Sequence, residues 1–272
     1  MLSCILLFLR EKRRKRKNGD DVVQPRYVYV LSDVHNDVIK LAKMLKSIDF
    51  DNEKDALYVL GDIFDRGEYP LQTYELIRTH QFQGENDLSP GIHCVKGNHD
   101  SWLAKGLAAY LSGQSASSFF NSLDIILNEA EDSKVMEILG WIMALPYQIE
   151  LEYDSPYGRK RYLLAHGMTE LPRDKYWRAA RYFTMADDLD FAYIKQGIPG
   201  YVSLIGHNMT DNIREWMGED ERPVQPEIYF NRKEDPSVIA VDCGCGLNNL
   251  GRKRKSRLAC IRLNDYRCYY VD

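Results

Sequence analysis

Five stretches of the chain each read as a short β-strand that ends in side chains of the metal-ligand type. They are YVYVLSDVH (27–35), ALYVLGDIFDRG (56–67), GIHCVKGNHD (91–100), RYLLAHG (161–167) and YVSLIGHN (201–208). A single strand end of this kind carries little weight, because aspartate and histidine often follow strands by chance. Five of them predict that neighbouring strands bring carboxylate, imidazole and amide groups to one edge of a sheet, where open α/β sheets place their ligands.

Helical patterns separate the first strands. Residues 37–48 carry apolar side chains at 38, 39, 41, 42, 45 and 48, and residues 71–80 follow Pro70, a helix-start residue. This alternation of strand and helix predicts an α/β fold with parallel pairing. At 272 residues, we expect a disordered leader over 1–23 and one domain over 24–272.

Two later regions have a different character. Residues 101–149 lack a clear strand but show helical spacing, which predicts a helical insertion that either shapes the substrate pocket or packs as a flank. Residues 238–244, 257–263 and 267–272 are rich in β-formers, which predicts antiparallel strands. The basic run Arg252–Arg257 would form a solvated turn between two of them.

Charge is unevenly spread along the chain. The segment Arg10–Lys17 carries +6; since the whole chain carries -4, the other residues together carry -10. An acidic body argues against a broad nucleic-acid-binding face. The apolar residues 2–9 are too few to span a bilayer, and their charge follows rather than precedes them as it would in a secretory signal. The alternative for residues 2–17 is weak contact with an anionic membrane surface.

The six cysteines have neither the spacing of a secreted disulfide scaffold nor that of a zinc finger. Free thiols indicate a reducing compartment, so we predict a cytoplasmic location.

The first two strand ends offer carboxylates and an imidazole. Asp33 and His35 stand two residues apart on an extended segment, so both side chains can reach one ion. In GDIFDRG, Asp62 offers a carboxylate able to bridge two ions. Arg66 offers a planar fork for phosphate oxygens, and Asp65 fits an orienting partner better than a ligand.

The other three strand ends complete the set. Asn98 supplies a neutral amide oxygen, and His99 fits a general acid whose ring Asp100 holds in one tautomer. His166 and His207 offer imidazole ligands. Oxygen and nitrogen donors without cysteine suit two divalent ions, manganese first, with iron or zinc as alternatives. A hydroxide bridging two such ions would attack phosphorus in line.

The series D-x-H, GD-x-x-DRG, GNH-D, HG and GH resembles the calcineurin-like metallophosphoesterases, from about residue 27 to the C-terminus. The resemblance implies a sandwich of two mixed sheets flanked by helices, with a dinuclear site at the strand ends. It implies that Asp33, His35 and Asp62 hold one metal, and that Asp62 bridges to a second metal held by Asn98, His166 and His207. It also implies that Arg66 binds phosphate.

Met209, where other branches carry a second histidine, favours the phosphoprotein phosphatase branch. The family has a further phosphate-binding arginine after the fourth motif, and here Arg178 and Arg181 are both candidates. The branch implies a protein serine/threonine phosphatase, possible also on phosphotyrosine. The alternative is a symmetrical dinucleoside tetraphosphate hydrolase, and a third hypothesis is a scaffold without catalysis.

Overall fold

The computed structural model describes residues 24–81, 88–117, 120–171, 180–185, 190–220, 222–247 and 255–272. The strands within these residues are β1 (Val28–Leu31), β2 (Ala56–Leu60), β3 (Gly91–Val95), β4 (Gln148–Ser155), β5 (Gly158–Ala165), β6 (Val202–Ile205), β7 (Tyr229–Phe230), β8 (Val238–Ala240), β9 (Leu258–Arg262) and β10 (Arg267–Val271). The helices are α1 (Val38–Ser47), α2 (Pro70–His80), α3 (Asn98–Leu111), α4 (Ser122–Glu129), α5 (Asp132–Ala144), α6 (Ala180–Thr184), α7 (Phe191–Gln196) and α8 (Thr210–Trp216).

The strands form two mixed sheets of five. The first has the order β10-β9-β1-β2-β3, in which β1, β2 and β3 are parallel and the β9–β10 hairpin is antiparallel. The second has the order β4-β5-β6-β8-β7, with β5, β6 and β8 parallel and an antiparallel strand at each edge. The predicted α/β architecture of two mixed sheets is confirmed.

Both faces of the central strands are buried, which explains their nearly continuous apolar sequences. In β1, Val28 and Val30 face the second sheet, while Tyr29 and Leu31 face helices. The same alternation in β2 sends Tyr58 toward the second sheet. Helices α1 to α5 cover the outer face of the first sheet, and α7 and α8 pack on the outer face of the second.

Two expectations about this architecture need correction. The five strand ends belong to two sheets rather than one, since β1, β2 and β3 lie in the first and β5 and β6 in the second. Within the stretch 238–244, β8 pairs with β6 in parallel and with β7 in antiparallel fashion in the second sheet, and one isolated parallel bridge from Gly244 to Arg257 links the stretch to the residue before β9. A short apolar run identifies a strand but contains no information about its partner.

The predicted helical insertion is present as α3, α4 and α5, which occupy most of residues 98–144. It begins with the GNHD motif itself rather than after it, because Asn98 opens the first turn of α3. The insertion ends before β4, so the last two residues of the predicted range 101–149 belong to that strand.

Several sequence-based predictions fall on residues that the structure does not describe. They are the leader 1–23 with its basic segment, Arg178, and residues 252–254 of the second basic run. The five described cysteines are free thiols. Within the described ranges, no helix combines the length and apolarity required to cross a bilayer.

Candidate metal centre

The five strand ends converge where the two sheets meet. Asp33 and His35 follow β1, Asp62 follows β2, Asn98 and His99 open α3, His166 follows β5 and His207 follows β6. Backbone hydrogen bonds join the segments: the amide of His35 donates to the Asp62 carbonyl at 3.0 Å, and that of Gly206 donates to the His166 carbonyl at 2.8 Å. The ligand-bearing turns therefore hold one another in place.

Asp62 lies at the middle of the cluster. Its Oδ2 atom is 3.8 Å from Nε2 of His35, 3.9 Å from Nε2 of His99 and 3.2 Å from Nε2 of His166. Ligand atoms of His35, Asp62 and His99 lie within 4.8 Å of one another, and so do those of Asp62, His166 and His207. One carboxylate is thus common to two groups of potential metal ligands.

The histidine rings are fixed so that one nitrogen faces the cluster. Nδ1 of His35 donates to the Phe64 carbonyl at 3.0 Å, and Nδ1 of His166 donates to the Leu60 carbonyl at 2.6 Å. This directs Nε2 of each ring toward the cluster, where it carries the lone pair once the ring is neutral. Nε2 of His35 is buried with no hydrogen-bond partner among the described residues, and the equally buried Oδ2 of Asp62 has none there beyond its 3.2 Å contact with Nε2 of His166. Buried polar atoms are rarely left unpaired, so these two fit a bound cation.

The other predicted ligands are buried in the same cluster or lie at its rim. Oδ1 of Asp33 is 3.7 Å from Nε2 of His35, while its Oδ2 accepts from the Ser32 hydroxyl and from the His207 amide. Oδ1 of Asn98 lies 2.9 Å from Nε2 of His166. Together the side chains offer mixed oxygen and nitrogen donors without sulfur, a set that suits manganese, iron or zinc.

Asp65, and not Asp100, holds the ring of His99. Nδ1 of His99 lies 2.9 Å from Oδ2 of Asp65. Both oxygens of Asp100 instead accept backbone hydrogen bonds, from the amides of Gly97 and Ile63 at 2.8 and 2.9 Å. The expected His99–Asp100 pair is wrong because successive residues of a helix point in different directions. The expectation that Asp65 orients a neighbour is confirmed.

Arg66 is half-buried beside His99, with Nη2 of the guanidinium 3.5 Å from Nε2 of the imidazole. Its Nε atom is buried and unpaired among the described residues, which leaves a donor for a ligand oxygen. Arg181 lies exposed on α6, whose Phe183 and Tyr182 carbonyls bind the amides that follow His166. Arg181 is therefore anchored next to the fourth strand end.

Backbone strain is concentrated in the cluster. Asp33, His35, Asn36, Asp62, Asp65, Arg66 and His207 all have positive φ, between 48° and 74°. Such conformations are uncommon for residues other than glycine and persist only where the surroundings enforce them. Gly97 shows how tightly the turns fit, since a Cβ atom there would lie 2.2 Å from Oδ1 of Asp62. Close backbone contacts therefore fix the turns that carry the ligands.

The protonation pattern of the metal-free protein reflects a site built for positive charge. Burial lowers the pKa of His35 and lowers that of His207 to about 4, so both rings are neutral at pH 7. Burial acts in the same direction on His166, but the carboxylates of Asp62 and Asp33 outweigh it and raise the pKa of His166 to about 10. A cation entering the cluster must displace the proton of His166.

Sequence reasoning missed two parts of the site. Asp242 follows β8 as a sixth strand end; it is buried, and this burial together with the neighbouring charge of Asp33 raises its pKa well above the ordinary value. The sequence VDCG directly after a strand was the signal that could have identified Asp242. The rings of Trp102 and Phe120 lie 4.9 and 4.3 Å from that of His99, centroid to centroid, and no local pattern announced them.

A model of the calcineurin-like phosphoesterase family matches residues 27–240, which is most of the chain. The chain belongs to this family. The segment that matches contains all five strand ends and the whole helical insertion.

Two curated relatives are symmetrical bis(5'-nucleosyl)-tetraphosphatases. That of Yersinia enterocolitica serotype O:8 / biotype 1B is 31% identical over 118 residues, which are 43% of this chain and 35% of the relative. That of Chromobacterium violaceum is 29% identical over 123 residues, which are 45% of this chain and 39% of the relative. The matched segments thus span little more than a third of these relatives.

A solved structure assigned as a diadenosine tetraphosphatase has the same fold. It superimposes with a TM-score of 0.57 at 17% identity, covering 93% of this chain and 95% of that chain. At this identity the likeness concerns the fold alone.

Proposed function

We propose that the chain is a metal-dependent phosphoester hydrolase. The observation that carries the proposal is the buried carboxylate of Asp62, which belongs to two groups of potential ligands and whose Oδ2 atom lies within 4 Å of Nε2 of three histidines. A carboxylate in this position is suited to bridging two cations. Family membership supports the reaction class.

Two divalent ions are proposed, manganese first and iron or zinc as alternatives. Asp33, His35 and Asp62 would hold one, and Asp62, Asn98, His166 and His207 the other. When bound, such ions polarise a phosphoryl group and lower the pKa of water. The carbonyl contacts of His35 and His166 would keep each Nε2 directed at its ion.

His99 is proposed to protonate the leaving oxygen, with Asp65 fixing its ring so that Nε2 faces the cluster. Nε2 of His99 and the guanidinium of Arg66 lie side by side, so the proposed acid and the proposed phosphate-binding cation would contact the same phosphoryl group. Arg66 would stabilise charge that builds on the non-bridging oxygens. Arg178 and Arg181 are the two candidates for a second phosphate-binding cation.

The reaction class can be tested with an aryl phosphate and added manganese. We expect Asp62→Asn to lower kcat/KM by roughly a thousandfold, because the bridging charge is lost. His99→Asn should lower kcat by about a hundredfold or more. Asp124→Asn, an exposed carboxylate on α4, is the matched control and should retain full activity. Undiminished hydrolysis by both site variants would refute the proposal.

Two substrate classes fit this chemistry. The motif series places phosphoserine, phosphothreonine or phosphotyrosine of proteins first. The curated relatives carry the names of symmetrical dinucleoside tetraphosphatases, which favours the second class. We propose dinucleoside tetraphosphates as the substrate, with protein phosphatase activity as the alternative.

Product analysis separates the two classes. Symmetrical cleavage of diadenosine tetraphosphate by one water yields two molecules of adenosine diphosphate, whereas asymmetrical cleavage yields the tri- and monophosphates. We expect adenosine diphosphate as the sole nucleotide product by chromatography, and a lower kcat/KM for phosphopeptides. Faster hydrolysis of phosphopeptides would instead support the protein phosphatase.

A further inference from the structure

A cavity of about 540 Å³ opens beside α3, next to the metal centre. Its lining includes Trp102, Lys105 and Ala109 of α3, together with Ser117 and Phe120 from the segment that leads into α4. The volume lies within the range of small-molecule sites, and an apolar, aromatic lining with few polar groups is typical of them.

One wall of this cavity is the aromatic pair that contacts His99. The rings of Trp102 and Phe120 are nearly parallel, at 5° with centroids 5.5 Å apart, and both lie within 5 Å of the His99 ring. His99 itself does not line the cavity. The cavity is therefore separated from the proposed general acid by the thickness of one aromatic layer.

The position of this wall discriminates between leaving groups. The rings of Trp102 and Phe120 lie against that of His99, so a leaving group that His99 protonates departs close to them. A phenol bonded directly to the scissile phosphate has no spacer, so it extends less far toward the wall than a nucleotide does. A leaving adenosine diphosphate carries two phosphates and a ribose between the reacting phosphorus and its base, so its base can reach beyond the wall and stack on it.

Charge and length fit the same ligand. Trp102, Lys105 and Ala109 are spaced i, i+3 and i+7, so they share one face of α3, about 10 Å long. Lys105 is exposed on that face and makes no ion pair within the described parts of the chain. An unpaired ammonium near an aromatic wall suits a ligand that has phosphates as well as a flat ring.

We propose that this cavity is the subsite for the base of the leaving nucleotide, with Trp102 and Phe120 as its stacking wall and Lys105 as a contact for its phosphates. The inference rests on the proposed function and names its specificity determinant. The proposed metal ligands do not recognise the base, because they act on the phosphoryl group alone.

The kinetic test compares diadenosine tetraphosphate with glycerol 2-phosphate, which has no ring. Trp102→Leu should lower kcat/KM for the dinucleotide about tenfold more than for the glycerol ester, the loss expected for one base stack. Trp102→Phe should retain most of the kcat/KM for the dinucleotide, because the phenyl ring can still stack on the base. Trp216→Leu, at an exposed tryptophan on α8, is the control and should leave the ratio unchanged. Equal losses for both esters would overturn the proposal, as would an equal loss for phenyl phosphate.

A binding measurement decides the subsite independently of catalysis. Adenosine diphosphate is titrated calorimetrically into the full-length Asp62→Asn protein, with and without Trp102→Leu. We expect the added substitution to weaken binding about tenfold, and Trp216→Leu to have no effect. Unchanged affinity would overturn the subsite. If the unsubstituted protein hydrolysed none of the esters while this difference in affinity remained, the proposed reaction would be refuted and the subsite would stand.

Discussion

The metal centre and the helical insertion beside it are built in opposite ways. The centre consists of short turns after strands, seven of whose residues have positive φ. The insertion consists of regular helices, and its cavity arises because Trp102 and Phe120, eighteen residues apart, meet by packing. Local motifs therefore specify the cluster of potential ligands, while tertiary packing specifies the shape of the cavity beside it.

The two regions are joined at Ser122, the first residue of α4. Its hydroxyl accepts hydrogen bonds from the Asp65 amide and from the Asn36 side chain, both at 2.8 Å. Asp65 in turn holds His99. A single buried hydroxyl of the insertion thus supports the turn that orients the proposed acid.

The sharpest contrast is expected from one alanine in each region. Gly97→Ala would place Cβ 2.3 Å from the Asp62 backbone nitrogen, and neither backbone can yield. We expect roughly a thousandfold loss of kcat/KM, because the bridging carboxylate moves, and about 3 kcal/mol of lost stability.

Gly140→Ala in α5 meets no atom within 4 Å and should raise stability by about 1 kcal/mol with activity retained. Urea unfolding and aryl phosphate hydrolysis check both variants. An active, metal-loaded Gly97→Ala enzyme would contradict the expected difference between the metal centre and the helical insertion in their tolerance of an added side chain.

Within the centre, two neighbouring carboxylates should separate chemistry from framework. Asp65→Asn should lower kcat by about 10- to 100-fold, because the His99 ring loses its charged partner. Asp100→Asn turns an amide group toward backbone donors and should cost about 1–3 kcal/mol of stability. Its effect on kcat should be smaller than that of Asp65→Asn. Steady-state kinetics and urea midpoints measured on both variants test this; the reverse pattern would restore Asp100 as the orienting residue.

Metal binding should release a proton. The pKa of His166 is raised to about 10 in the metal-free protein, so the ring is protonated at neutral pH and binds an ion only after losing that proton. Affinity for manganese should therefore rise with pH, about tenfold per unit, until the pH approaches 10. Calorimetric titration in buffers of different ionisation enthalpy reports the proton directly. A binding enthalpy independent of buffer would contradict the assignment.

The smallest effect on kcat is expected from a substitution at Ser122, where the helical insertion meets the metal centre. Ser122→Ala leaves the Asp65 amide and an Asn36 amide hydrogen without their acceptor, which should cost about 1–3 kcal/mol of stability. A few-fold lower kcat should accompany it through Asp65. Ser101→Ala, which removes a hydroxyl that donates to the Gly97 carbonyl, is a control for loss of a hydroxyl nearby. Equal kcat in the two variants would show that the insertion does not support the acid.

The parts of the molecule that could be predicted from sequence are those encoded within a few residues. Strand ends, the α/β class and the shared Asp62 followed from short patterns, and the structure brings all six predicted ligands together. The partner of β8 could not be predicted, because pairing is decided by packing between distant segments. His99 was given the wrong partner because Asp100 is adjacent in sequence, whereas Asp65 reaches the ring through a turn with φ of 74°.

The position of β9 has a consequence for the order of assembly. β1, which delivers Asp33 and His35, lies between β2 and β9, with Tyr29 opposite Arg262. The edge that β9 covers therefore stays open while more than two hundred residues are synthesised, and chains emerge from the ribosome N-terminus first. Gly246, which packs on the His35 side chain, also comes late. We expect a nascent chain to complete the surroundings of Asp33 and His35 only after Gly246 and β9 have been synthesised.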